Sequence, residues 1–250
     1  MPAPDLRTVA NALGAGVSLW LIGLVCGVAW ADSAPRVSAH LGVASDYVAH
    51  GLTRSLSESV VRGQVGLAFD EGWSASIGAS TLNLNPGPGV SRELNLYLGK
   101  RWDLPRDWSL STSLSRYEFA PDRPILPYDY SELTLEASFR EQLRLTVQYS
   151  PDYSIFSRRG PAREFATWNY ELLGSYPLRR GLELSAGVGH YDLTAGLGRG
   201  YWFWSSGLVA TRGPWSLAVS YIGTDAAAEN MFGRNAARDR LVVALALRVR

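Results

Sequence analysis

Between residues 131 and 153 the chain repeats one two-residue alternation twice. Ser131, Leu133, Leu135, Ala137 and Phe139 stand at odd positions, with Glu132, Thr134, Glu136 and Ser138 between them. A period of two marks a strand with one apolar and one polar face. Arg140, Glu141 and Gln142 make a tight polar turn, after which Leu143, Leu145, Val147 and Tyr149 alternate with Arg144, Thr146, Gln148 and Ser150. Facing residues of an antiparallel hairpin share a side of the sheet, so both apolar rows lie together and Glu132, Glu136, Arg144 and Gln148 share the other face. A soluble sandwich would hold two or three such hairpins. Here the unit recurs along the whole chain, which predicts a closed membrane barrel.

The first strand is read at about residues 37–50, with Val37, Ala39, Leu41, Val43 and Tyr47 on one face and His40, Asp46 and His50 on the other; residues 51–58 are a loop. Val61 to Phe69 alternate next, Asp70-Glu71-Gly72 turn the chain, and Trp73, Ala75, Ile77 and Ala79 form the third apolar row. A longer connection at 83–90 leads to Leu94, Leu96 and Leu98; residues 101–107 turn into Trp108, Leu110, Thr112 and Leu114, and the pattern slips at 116–119, which suggests a bulge or strand end. After the opening hairpin and a long connection, Trp168, Tyr170, Leu172 and Tyr176 form a row, 177–181 turn, and Leu182, Leu184, Ala186 and Val188 follow. Trp202, Trp204, Leu208 and Ala210, then Trp215, Leu217, Val219 and Tyr221, and finally Leu241, Val243, Leu245, Leu247 and Val249 complete about twelve strands, most near the nine to eleven residues a tilted strand needs to cross a bilayer.

Two regularities separate this pattern from a soluble β-protein. Short turns alternate with long loops, as in outer-membrane barrels with brief periplasmic turns, and an even strand count puts both ends of the barrel on the periplasmic side. Aromatic residues also sort by turn length. Phe69, Trp73, Trp108, Phe139, Tyr176 and Trp215 border short turns, whereas Tyr47, Tyr149, Trp168, Trp202 and Tyr221 border long loops. Two aromatic girdles at two membrane interfaces are expected. Closure is required because a strand facing lipid cannot leave its N–H and C=O groups unpaired.

Composition agrees. The formal net charge of +1 gives no reason to expect nucleic acid as a partner. Tryptophan is abundant, at 9 residues, while mean hydropathy is near zero, because a barrel hides its apolarity in alternate positions. Residues 13–28 are the one long apolar run, preceded by Arg7 and followed by Ala29-Trp30-Ala31; residues 1–31 are expected to be a secretory signal peptide and 32–250 the barrel. The single cysteine, Cys26, falls in that segment, leaving the barrel without disulfides or cysteine ligands.

By parity the lumen carries Asp46, Arg62, Glu93, Glu132, Glu136, Arg144, Gln148, Glu171, Glu183, Arg240 and Arg248. Rings of charge there would form a constriction that biases which solutes pass; paired with one another, the same charges would leave little open path. His40 and His50 are too far apart along a strand to act together, and His190 faces lipid near the outer rim without a visible serine partner, so no catalytic residue is assigned. Asp225 and Glu229 lack the ligand-spaced run of a calcium loop, and neither metal nor cofactor is expected.

Ser45-Asp46-Tyr47 followed by Gly51, Glu93-Leu94-Asn95-Leu96-Tyr97, Tyr149-Ser150-Pro151-Asp152-Tyr153, and Tyr221 with Thr224-Asp225 together resemble the TorF-type porin family, a proteobacterial outer-membrane family of unknown function. His50 stands where that family usually has arginine, Asn95 where it often has aspartate, and the chain ends in Arg248-Val249-Arg250 and not in an aromatic residue. The resemblance implies a barrel in the outer membrane of a Gram-negative bacterium, and a pore. The sequence therefore predicts an all-β, antiparallel up-and-down transmembrane barrel acting as a porin-like channel for passive diffusion of small hydrophilic solutes. Loops 83–90, 120–127 and 154–163 would shape its mouth. Its partners would be outer-membrane lipids, the barrel-assembly machinery and the solutes. The alternative is a closed barrel with a structural or adhesion role through its outer loops.

Overall fold

The computed structural model describes residues 34–83, 91–120, 129–154 and 164–249. The expected signal peptide and most of loops 83–90, 120–127 and 154–163 lie outside them. Twelve strands close into an antiparallel barrel: β1 (Arg36–Ala44), β4 (Val60–Ala68), β5 (Trp73–Leu82), β6 (Ser91–Leu104), β7 (Trp108–Ala120), β8 (Tyr130–Phe139), β9 (Leu143–Ser154), β10 (Glu164–Arg179), β11 (Leu182–Asp192), β12 (Tyr201–Arg212), β13 (Trp215–Thr224) and β14 (Arg240–Val249). β1 pairs with β4 on one side and β14 on the other, so the sheet has no edge. Two further strands, β2 (Val48–Ala49) and β3 (Leu52–Thr53), form a separate miniature hairpin.

The alternation in the sequence becomes the two faces of the wall. Leu41, Leu133, Leu145, Leu172, Leu208 and Leu245 lie on the exposed outer surface, and their neighbours in sequence point inward. On a soluble protein so many large apolar side chains facing solvent in one continuous belt would be untenable; against hydrocarbon they are in their preferred medium. No helix among the described residues is long and apolar enough to cross a membrane, and the crossing is made by strands.

The short connections are tighter than the sequence suggests. β6 runs through Leu104, leaving only 105–107 as the turn, and β10 runs to Arg179 past an irregularity between Pro177 and Arg179. The adjacent pairs Arg106-Asp107 and Arg140-Glu141 both take positive φ, the twist that matches a two-residue hairpin, without the glycine that usually supplies it. No bulge occurs at 116–119. β7 keeps its register with β6 and β8 throughout. What changes there is the chemistry of the faces: Tyr117 and Phe119 point inward, while Arg116 turns outward above the girdle and pairs with Asp152 at 3.2 Å.

Candidate functional site

The interior divides into an outer half that is packed and a lower half that is polar. Packing begins at residue 45. The first strand stops at Ala44, well before residue 50, and the chain then folds into the barrel mouth instead of continuing up the wall. Gly51, at φ +78°, turns the β2–β3 hairpin against the wall, where an added Cβ would meet Thr224 Cγ2 at 2.5 Å and Phe203 Cβ at 2.7 Å. The Tyr201 hydroxyl donates to the His50 carbonyl at 2.8 Å, and the His50 ring lies 4.3 Å from that of Tyr191. Burial here, reinforced by the Arg54 charge, pushes the His50 imidazole down to about 3, so the seated loop holds it neutral.

This inward hairpin corrects two expectations. The strand read at about residues 37–50 ends at Ala44, and part of the loop read at 51–58 is β3. Tyr47 is no part of the outer girdle: it is 7% exposed and sits inside the barrel, because the strand that would have carried it outward has already ended. The inner aromatic layer packed around the hairpin includes Tyr117, Phe119, Tyr130, Tyr191, Tyr201 and Phe203. Sequence parity missed this layer as a unit, although its signal was present in aromatics standing at polar positions beyond the girdle.

Of the other girdle residues, Trp73, Trp108, Tyr176, Trp168, Trp202, Tyr221 and Trp215 are exposed on the outer surface, and Phe69, Phe139 and Tyr149 are half-buried. The Tyr149 and Trp168 rings pack 4.6 Å apart across paired positions, as Trp108 and Phe139 do at 5.0 Å.

The residues predicted for the lumen gather in four groups. Asp46 is buried against Arg240, whose Nη1 donates to Oδ2 at 2.7 Å, and the Ser55 hydroxyl donates to Oδ1 at 2.6 Å. Glu93, 1% exposed, accepts from the Tyr47 hydroxyl at 3.0 Å and lies 3.5 Å from Arg54 and 3.7 Å from Arg62; Arg62 also stacks 4.7 Å from the Tyr47 ring centre. These two groups tie the residues after β1 to the wall on either side of it, at β14 and at β6. Below them, Gln148 Nε2 donates to Glu132 at 2.6 Å and Asn169 Nδ2 donates to Gln148 Oε1 at 2.6 Å, a chain across β8, β9 and β10.

Lower still, Arg144 lies 3.5 Å from Glu136. Glu171 is buried and Glu183 half-buried on the neighbouring strands, while Arg248 stands beside His40 across the β1–β14 seam. Outside the lumen, His190 packs 4.9 Å from the Trp202 ring. Asp225 caps α1 (Ala226–Phe232) by accepting from the Ala228 N–H at 3.1 Å and also accepts from the Trp202 N–H at 3.0 Å, which accounts for both carboxylate oxygens.

A closed barrel of twelve strands with an apolar outer belt, aromatic borders and a charged interior has the fold of outer-membrane β-barrels. The chain belongs to the Gcw_chp family, described as bacterial proteins of unknown function, whose model matches residues 28–248. In structure it is similar to the NanC porin, with a TM-score of 0.56 and 11% identity over 86% of this chain and 100% of that one. The KdgM porin in complex with disordered oligogalacturonate gives 0.53 and 11% identity over 85% and 98%. The COG4313 outer membrane channel from Pseudomonas putida F1 gives 0.53 and 12% over 90% and 98%. No curated protein matches the chain in sequence.

Proposed function

We propose that this protein is a narrow outer-membrane channel for passive diffusion of small hydrophilic solutes, its outer opening set by the inward hairpin. The observation that carries the reading is the lower interior. Glu132, Glu136, Arg144, Gln148, Glu171 and Glu183 line one wall there, four carboxylates to one arginine, where a closed barrel would pair its interior charges with one another. Resemblance to the TorF-type porins and likeness to solved channels support the same reading. In it, residues 1–31 direct export and are removed, and the barrel-assembly machinery inserts the rest.

The packed outer half favours the second reading, a closed barrel acting through its outer loops, because the hairpin and the aromatic layer occupy the mouth. One experiment separates them. Refolded protein in planar bilayers is expected to give discrete current steps in KCl, larger when residues 46–58 are replaced by a short glycine-serine link. Absence of steps from both proteins across salt and voltage would remove the channel reading and leave the closed barrel.

A further inference from the structure

The wall formed by β8, β9, β10 and β11 carries more negative charge than it can neutralise. Its inward residues below the packed layer include Glu132, Glu136, Glu171 and Glu183, against the single cation Arg144. Register places two of these glutamates in one row: Glu136 pairs with Thr146, and Thr146 pairs with Glu171 on its other side. At a strand spacing of about 4.8 Å their backbones are about 10 Å apart, with only a threonine between. Arg144 lies 3.5 Å from Glu136 Oε2, without a hydrogen bond through that Nε.

Glu171 is left over. It is 6% exposed, and its Oε1 finds no hydrogen-bond partner among the described residues. The Asn169 Oδ1, two residues up the same strand, and the Glu183 Oε1, on the next strand, are equally unmatched. Three orphaned acceptors on adjoining strands point to a missing positive or donor-rich group, because an isolated buried carboxylate is costly until something compensates it. The upper interior behaves differently: Asp46 has Arg240, and Glu93 has Arg54 and Arg62.

We propose that the β8–β11 wall is a cation subsite, centred on Glu171 and Glu136, that makes the channel prefer small cations over anions. This rests on the channel reading above for its consequence in transport, but not for the binding itself. Fixed carboxylates in a narrow, low-dielectric passage concentrate counter-ions and exclude co-ions.

Two measurements on the refolded protein test the proposal. In a KCl gradient the reversal potential is expected on the potassium side, and Glu171→Gln is expected to cut the potassium-to-chloride permeability ratio by at least about twofold, the effect on a single ion of one charge about 10 Å away in water-like surroundings. Glu118→Gln, on the outer face, is expected to leave it unchanged. Separately, terbium(III) emission sensitised by the interior Tyr97 is expected in the parent and reduced at least severalfold in Glu171→Gln and Glu136→Gln. Folding of each variant is checked by heat-modifiable gel migration.

Terbium binding lost in the variants, without current in any protein, would keep the cation subsite and overturn the channel. Currents that are anion-preferring, or indifferent to Glu171→Gln, would overturn the subsite and keep the channel. Neither current nor glutamate-dependent terbium emission would overturn both.

Discussion

Replacing Leu135 by arginine places a charge in the middle of the outer belt. Leu135 is 45% exposed on the bare protein and lies four residues from Phe139 in the inner girdle, which is about 13 Å along the strand. With the strand tilted by about 40°, that is about 10 Å in height, close to the midplane of a belt about 25 Å tall. Arginine at the midplane of such a barrel costs about 2–4 kcal/mol, against about 0–1 at an interface. Leu143 pairs directly with Phe139 and so supplies the interface control on the adjoining strand. Equilibrium unfolding in urea, followed by tryptophan fluorescence in phospholipid vesicles, should give Leu135→Arg a penalty about 2 kcal/mol larger than Leu143→Arg, a ratio of about 30 in the folding constant. Two equal penalties would refute the assigned depth. Near-zero penalties at both positions would refute the assignment of this face to lipid.

Other outcomes follow from the packed mouth. Arg240→Met leaves Asp46 buried beside no cation and is expected to destabilise by about 3–5 kcal/mol in the same assay, with Asp46→Asn restoring part of the loss. Gly51→Ala forces a Cβ into Thr224 and Phe203 at a positive φ, so the hairpin should unseat; unit conductance should rise while heat-modifiable migration is kept, and unchanged conductance would contradict the seating. The depressed His50 value means that the seated loop refuses a proton that the released loop accepts. The seat is therefore at full strength above about pH 6.5 and weakens as pH falls from there toward 3, so hydrogen exchange over 45–59 should accelerate relative to the strands on acidification, less so in His50→Asn.

How much of this was legible before the structure follows from what each signal encodes. Period-two alternation encodes which way a side chain points relative to a wall, and so the strands, their antiparallel order and the polar interior could be read directly. It does not encode where a strand leaves the wall. Residues 37–50 alternate acceptably through Tyr47, yet the chain departs at Ala44, since the reward for departing comes from distant partners: Glu93 on β6, Tyr201 on β12 and Arg240 on β14. The same blindness hid the inner aromatic layer, because Tyr117, Tyr191 and Phe203 meet only once the barrel closes. Turn lengths were overestimated where strands extend below the belt, as at Trp102 and Leu104, which lie exposed on the outer face past the point where the sequence turns polar.

The claim beneath the fold, the site and the proposed transport is that odd and even positions along a strand meet different media. Single cysteines at each residue of 143–150, in a chain of residues 32–250 reconstituted in vesicles, can carry nitroxide labels whose collisions with oxygen report hydrocarbon contact. The account expects oxygen accessibility to rise at 143, 145, 147 and 149 and fall at 144, 146, 148 and 150, in step with a period of two. A flat profile, or the opposite phase, would contradict it.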